Sequence, residues 1–330
     1  YMTLRDIVSV KYLRDFLDNL ISLNIIEVGT KYSIGNHSNT YRINPEYLEL
    51  EWVKVKYTDK LINKKLDMKS IKQYKDIKDL GNGYQTLNYY NSEINIDVKK
   101  AKKFIKTTYG INNDIYNDCF FKIDNFKNVQ PVVDKTGNRF HSNITNLNSN
   151  LRQFLSWNGE KLEIIDIVNS QPLFLYILLK ERGNCNLKEL EKYKELVESG
   201  KFYDYFMDKF KIDDRKKIKE MVFSRLLFGK NYSTLTKEEE YFKIEFPTIF
   251  DDIREMKSND HSILAITLQK IESNFIINKC VNQISKSHNY NIFLNTIHDA
   301  IVVTKDNKME VKKQILDIFK SEYNLTPKLK

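Results

Sequence analysis

Near the C-terminus two apolar runs flank a histidine–aspartate pair, in "NIFLNTIHDAIVVTKD", Asn291 to Asp306. Their β-branched content makes each run a strand, and the pair between them leaves room only for a tight turn. An earlier run, "KLEIIDIV", reads as a further strand and carries Asp166 near its end. Asp166 and Asp299 thus share one situation, the end of an apolar strand where a turn begins. A buried carboxylate is costly to ionise unless a metal or a cation compensates. If the strands are neighbours, the two aspartates converge on a pair of magnesium ions, hard cations that take oxygen ligands and leave positions open for phosphate oxygens. Such two-metal sites serve in-line phosphoryl displacement. Taken singly, either aspartate is as well explained by capping a helix or closing a turn.

The totals are compatible with that chemistry. The chain has 330 residues, 41% hydrophobic and 29% charged, the balance of a globular protein with a sizeable core. Only 10 Gly and 5 Pro favour long helices over a turn-rich all-β fold. A net charge of +9 suits a polyanionic partner, and equally suits a Lys-rich coding bias. Cys119, Cys185 and Cys280 form no CxxC pair, so a reducing, cytoplasmic setting without a zinc site is expected. No apolar run approaches a membrane span and no signal peptide is visible, so no membrane partner is expected. Tyr1 precedes Met2, as in a chain that carries an added residue or begins inside a longer protein.

Along the chain, Val10 to Leu23 has helical spacing and "IIEVGTKYSIGNHSNTYRI" reads as two strands around a turn. Residues 1–48 are therefore read as a winged-helix-like helix-hairpin, a binding module or a plain accessory segment. Residues 49–130 are Lys-rich and mainly helical. In them Lys99, Lys100, Lys102, Lys103 and Lys106 either track phosphates or form a solvated helix face. From residue 131 the texture changes. "VVDKTGNRFHSNITNL" predicts a turn and a strand, and "NLRQFLSWNG" a short helix ending at Gly159. "SQPLFLYILLKERG" starts a helix with Pro172 in its first turn. Helices dominate from 187 to 287, and the chain ends strand, turn, strand, helix.

Within that helical stretch, "DDRKKIKEMVFSRLLFGKN" predicts an amphipathic helix. Arg215 and Lys219 share a face, Phe223 continues it, and Phe228–Gly229 closes it. Two cations and an aromatic on one stripe suit a triphosphate and a stacked base. An ordinary basic surface helix has the same pattern.

In this order, "DIVNSQ", "RKKIKEMVFSRLLFG" and "HDA" resemble polymerase motifs A, B and C of family A DNA polymerases and single-subunit phage RNA polymerases. Upstream "GNRFHSNITNL" and "LRQFL" look like the strand and Arg-bearing helix before motif A. Downstream "LQKIESNFIINKC" is similar to the Gln-bearing helix before motif C. The resemblance covers residues 132 to 330.

The resemblance implies an α+β right-hand polymerase with an antiparallel-sheet palm, helical fingers inserted at about 187–260, and a thumb in 49–130, without an exonuclease domain. Asp166 and Asp299 would hold two Mg²⁺ ions, with Mn²⁺ as substitute and the Ile167 carbonyl as a further ligand. Lys219 would contact the triphosphate and protonate the leaving pyrophosphate, and Arg215 would grip the same phosphates. Phe223 or Phe228 would stack near the incoming base, beside Ser170 and Gln171. His298, Gln269 and Arg152 would meet the primer or template. The partners implied are a nucleic-acid primer-template, nucleoside triphosphates and an accessory replication protein, in a phage or mobile-element setting.

Four departures from the family pattern stand out. Motif B runs nine residues from Lys219 to Phe228, one more than the usual interval, so its helix is expected to bulge or pair differently. Ala300 replaces the glutamate of DNA polymerases in motif C. Gln171 stands where DNA polymerases carry a glutamate that bars a 2′-hydroxyl, and Phe228 lacks a tyrosine's hydroxyl. Ser170, four residues after Asp166, has the RNA polymerase spacing, and Gln171 is bulky enough to bar a ribose while its amide is equally able to hydrogen-bond one, so the sugar choice stays open; bulk at 171 and the missing hydroxyl lean toward deoxynucleotides. A single-subunit RNA polymerase or primase, a template-independent transferase, and a DNA-binding protein whose palm has decayed are the alternatives.

Overall fold

A computed structural model describes residues 12–28, 41–48, 73–109 and 114–330. The turn expected between the first two strands and the helices expected over 49–72 lie outside the described residues. The chain divides into two compact units, residues 1–74 with 112–114, and residues 75–111 with 115–330.

In the first unit, helix α1 (Leu13–Ser22) precedes strands β1 (Ile26–Val28) and β2 (Tyr41–Ile43), where the patterning puts a helix and two strands. β1 and β2 pair antiparallel with Ile26 opposite Ile43. None of the residues of α1 is buried.

The second unit begins with α2 (Asn82–Glu93), β3 (Asn95–Ile96), α3 (Val98–Thr108) and α4 (Asp114–Asp124). A hairpin, β4 (Val132–Asp134) and β5 (Phe140–His141), leads to a 3₁₀ turn over Ser149–Phe154. Next come β6 (Leu155–Trp157) and β7 (Glu160–Asp166). A helix ending at Gly159 is not what forms there. Residues 155–157 are extended, and Asn158 (φ 49°) with Gly159 (φ 83°) makes a two-residue turn pairing Trp157 with Glu160. Both central residues have positive φ, the conformation that Asn-Gly supplies most readily.

Helices α5 (Ser170–Arg182), α6 (Leu187–Glu198) and α7 (Phe202–Phe210) follow. α8 (Arg215–Met221) runs directly into a π-helix over Val222–Leu227. α9 (Lys237–Glu245) and α10 (Pro247–Met256) precede α11 (Ser262–Ser273), which is extended by a second π-helix over Asn274–Val281 and a last turn, Asn282–Ser287. The chain ends with β8 (Leu294–Ile297), β9 (Ala300–Thr304) and α12 (Lys308–Tyr323).

Five strands form an antiparallel sheet in the order β3-β6-β7-β9-β8. Alternation along β7 and β9 sends side chains to two cores. Ile165, Ile301 and Val303 join the larger one with α5, α6, α11 and α12. Ile164 and Val302 join residues of α2, α3 and α4 in the smaller one. α5 is apolar around nearly its whole circumference, and Leu173 to Ile177 are all buried, so it is the central helix of the larger core. Phe174, Phe275 and Phe319 meet there, with 3.9 Å between the centroids of the last two. Burying each such side chain contributes about 1.5–3 kcal/mol. That rigid backing fixes the ends of β7 and β9.

Candidate active site

The register of the central strands sets Ala300 opposite Asp166. Asp299 is the next residue back, in the His298–Asp299 turn that joins β8 to β9. Both aspartates therefore lie at one edge of the sheet, half-buried. Burial first, then the charge of Asp299, pushes the Asp166 carboxyl above the usual carboxylate range. Lys219, Lys330 and the Ile167 backbone N–H pull it back. The Lys330 backbone makes both partners of a short bridge, accepting from Asp166 N at 3.2 Å and donating to Asp166 O at 2.9 Å. Val168 N donates to the Lys328 carbonyl at 3.0 Å, and Ile167 and Leu329 form an isolated antiparallel bridge, so residues 328–330 run beside the end of β7. This tail gave no signal in the sequence.

Two carboxylates that repel one another at a half-buried edge, with hard oxygen donors, suit divalent cations. Among the described residues no group of three His, Cys, Asp or Glu side chains assembles into a metal cluster.

After Asp166 the chain turns through Asn169, in the left-handed conformation (φ 60°), into α5. Asn169, Ser170 and Gln171 are all buried. Asn169 Oδ1 accepts from the Arg215 guanidinium at 3.2 Å, which ties α8 to this turn. Arg215 also pairs with Asp204 and lies 5.3 Å from the Tyr203 ring. Tyr203 is buried, and its hydroxyl is pushed well above the usual range by that burial. Gln171 Nε2 donates to Glu272 on α11. Glu272, 1% exposed, also accepts from Arg139 Nε at 2.9 Å. Burial, with the charge of Asp299, pushes the Glu272 carboxyl up to about 7 against the pull of Arg139 and Gln171.

On α8, Lys219 is exposed and lies 5.4 Å from the Phe223 ring. Phe223 and Phe228 stack with centroids 5.2 Å apart and planes inclined by 17°. Val222–Leu227 is a π-helix, and Phe228 N donates to Phe223 O at 2.8 Å. The single amphipathic α-helix predicted here is thus replaced after Met221 by a wider turn, which takes up the extra residue in motif B. Gly229 fits because a Cβ there would lie 2.0 Å from Ser224 O. The buried Lys257 ammonium donates to the carbonyls of Leu226 and Gly229, the latter at 3.1 Å, and holds this end of the helix.

On the other flank, His298 (φ 54°) is exposed, its ring 5.9 Å from that of His141. Crowding by protein atoms on one side, then Arg139 and His141, lowers its pKa, while Asp299 opposes the shift. His141 meets Asp134 Oδ2 at 3.1 Å. Burial disfavours the Asp134 charge, but His141 and the N–H groups of Gly137 and Arg139 outweigh it and hold the carboxyl at about 2. Arg152 is half-buried at a cavity of about 230 Å³ lined also by Ile144, Gln153, Leu162 and Ile164. Its Nε has no hydrogen-bond partner among the described residues. Gln269 packs against Gly137 in the β4–β5 turn.

Asp166, Asp299, Lys219, Arg215, Ser170 and Gln171 therefore gather around one strand end, with Phe223 in the π-helix that continues α8, Phe228 at its close and His298 in the turn. Gln269 faces the hairpin instead, and Glu272, one turn on, reaches the polar trio. Glu272 and Arg139 were not singled out from the sequence. The available signal was a glutamate inside the apolar stretch "LQKIESNFII".

No protein-family profile matches the chain. No curated protein sequence matches it either. Fifteen chains of solved structures match. Among them is the POL domain of Pol1 from M. smegmatis, solved in complex with a DNA primer-template and dNTP. It shares 12% identity with a TM-score of 0.51, over 71% of this chain and 55% of that one. The chain thus spans little more than half of that domain. The likeness shows the fold: a mixed helix and antiparallel-sheet structure similar to a DNA polymerase domain.

Proposed function

We propose that the chain is a template-directed nucleotidyltransferase, a compact DNA polymerase of the family A type. The observation that carries this reading is the pairing of Asp166 and Asp299 at one end of the two central strands, with the charge of Lys219 acting on Asp166, in a polymerase-like fold. The sheet serves as palm, residues 187–260 as fingers and the helices within residues 49–130 as thumb. Asp166, Asp299 and the Ile167 carbonyl are the groups that would hold two Mg²⁺ ions. The chemistry such ions would supply when bound is activation of the attacking oxygen and neutralisation of charge on the leaving one.

The chain's own side chains supply the rest. Lys219 contacts the triphosphate and gives a proton to the departing pyrophosphate. Arg215, steadied by Asp204 and Asn169, grips the same phosphates bidentately. Phe223 and Phe228 present a flat apolar stack to the incoming base. His298 meets the primer terminus, and Arg152 and Gln269 serve the primer-template. Preorganised positive charge around the phosphorus lowers the barrier most.

Extension of a labelled primer-template, run with dNTPs and with rNTPs and repeated without primer, tests this. Incorporation by the wild type and its loss in Asp166→Ala and Asp299→Ala support it. Incorporation that persists in both variants sinks it. Salt-dependent DNA binding with no incorporation at all identifies a non-catalytic DNA-binding protein. Products made from rNTPs without primer identify a primase or RNA polymerase.

A further inference from the structure

We propose that Glu272 is a positioning residue that pins the Gln171 amide and so holds its side chain as the bar against a ribose 2′-hydroxyl. The inference rests on the polymerase reading above and goes beyond it by assigning the control of sugar choice to a side chain 101 positions away in the sequence.

The geometry is a three-member chain. Arg139, from the β4–β5 turn, donates to Glu272 Oε1 through Nε at 2.9 Å. Glu272 Oε2 accepts from Gln171 Nε2. Gln171 follows Asp166 by five residues, in the first turn of α5, so its position is set by the strand end that carries the aspartate. Phe228, on the motif B helix, has no hydroxyl to offer an amide, and the Gln171 side chain takes its partner from α11 instead.

Three features separate this contact from an ordinary core hydrogen bond. A glutamine has three rotatable side-chain bonds, and one amide hydrogen bond to a fixed acceptor removes most of that freedom. The acceptor is itself fixed, 1% exposed and anchored by a guanidinium. Gln171 Oε1 is buried and has no hydrogen-bond partner among the described residues. An amide left half-satisfied would rotate unless held, because an unmet buried acceptor is unfavourable. Glu272 is what holds it.

Removing the carboxylate frees the amide to swing away from the strand end, and a ribonucleotide then fits. Glu272→Ala and Glu272→Met, the second filling the volume without an acceptor, are compared with Gln171→Ala and with the double variants. The readout is the ratio of kcat/KM for a dNTP to that for the matching rNTP on one primer-template, with Tm recorded to show that each variant folds. The expected result is a fall in that ratio of about tenfold or more in a folded Glu272 variant, a similar fall in Gln171→Ala, and no further fall when the two are combined. Glu272→Gln, which keeps an acceptor oxygen for Gln171, should stay within about threefold of wild type.

A ratio unchanged in a folded Ala or Met variant overturns the proposal. So does a shift toward the dNTP, or an effect of equal size in the Gln171→Ala background, which would show Glu272 acting through something other than the amide. Absence of extension by the wild type is a different outcome: it removes the polymerase reading and this inference with it.

Discussion

Phe223 and Phe228 stack with centroids 5.2 Å apart although they are five residues apart on one helix. In an α-helix residues five apart point in different directions, since a turn takes 3.6 residues. The π-helix over Val222–Leu227 brings them into line, and its signature is the 2.8 Å hydrogen bond from Phe228 N to Phe223 O. Such bulges occur often at functional sites. With Lys219 5.4 Å from the Phe223 ring, a cation and two parallel rings form one column.

If that column receives the base, Phe228→Ala should weaken dNTP use while primer-template affinity stays within twofold. Stacking of a base on an aromatic ring is worth about 1–3 kcal/mol, so KM for the dNTP should rise by about 5-fold to 150-fold. Phe228→Tyr should keep the stack and nearly normal KM. Steady-state extension kinetics together with DNA-binding isotherms decide this. Equal losses in DNA binding and dNTP use would place the rings elsewhere in the cycle.

The strands of the sheet and the π-helix differ in how legible they were. β7, β8 and β9 announce themselves by β-branched runs, and the order of three motifs with their intervals placed Asp166, Lys219 and Asp299 in one structure. The extra residue between Lys219 and Phe228 signalled an irregularity, but only the fold shows it as one π turn with the rings stacked. "NLRQFLSWNG" has apolar residues at helical spacing, yet 155–157 is strand β6, because the Asn-Gly turn that reverses it needs only two positions. Glu272 and the bridge at 328–330 depend on partners over 100 residues distant, Gln171 and Asp166, and periodicity carries nothing about such pairings.

Divalent cations should stabilise the folded protein through the two aspartates, independently of activity. A ligand at about 100 times its Kd adds about 2.7 kcal/mol to stability. Mg²⁺ or Mn²⁺ should therefore raise Tm by several degrees in the wild type. In Asp166→Asn/Asp299→Asn the rise should vanish, while the starting Tm increases because the buried repulsion at Asp166 is gone. Thermal melts with and without cation read both effects. An equal rise in the double variant would move the cation site away from the sheet edge.

α3 offers a separate nucleic-acid test. Lys100 pairs with Asp97 and Lys102 with Asp124, whereas Lys99, Lys103 and Lys106 are exposed on one face. Each phosphate neutralised contributes a salt slope of about −0.9 for duplex DNA. Lys99→Glu/Lys103→Glu/Lys106→Glu should weaken duplex binding by more than tenfold at low salt and flatten the slope by about 2–3. Titrations at several salt concentrations measure it. An unchanged slope makes the stripe a solvated helix face.

Glu272 also ties stability to pH, with a sign that follows from its burial. Its folded-state pKa is about 7, above the ordinary glutamate value of 4.5 that the unfolded chain keeps. Between those two values the folded state holds a proton that the unfolded state has released. Stability therefore falls as pH rises from about 4.5 to about 7, and the loss is complete above the folded value. At about 1.4 kcal/mol per pKa unit the fall is at most about 3–4 kcal/mol. Glu272→Gln cannot release the proton and should lack this part of the slope. Its stability relative to wild type should then improve by up to that amount between pH 5 and pH 8. Urea unfolding of both proteins across that range isolates the residue, since Asp166 and the histidines are common to the two. Parallel curves would mean that Arg139 keeps Glu272 ionised throughout, as a permanent buried ion pair.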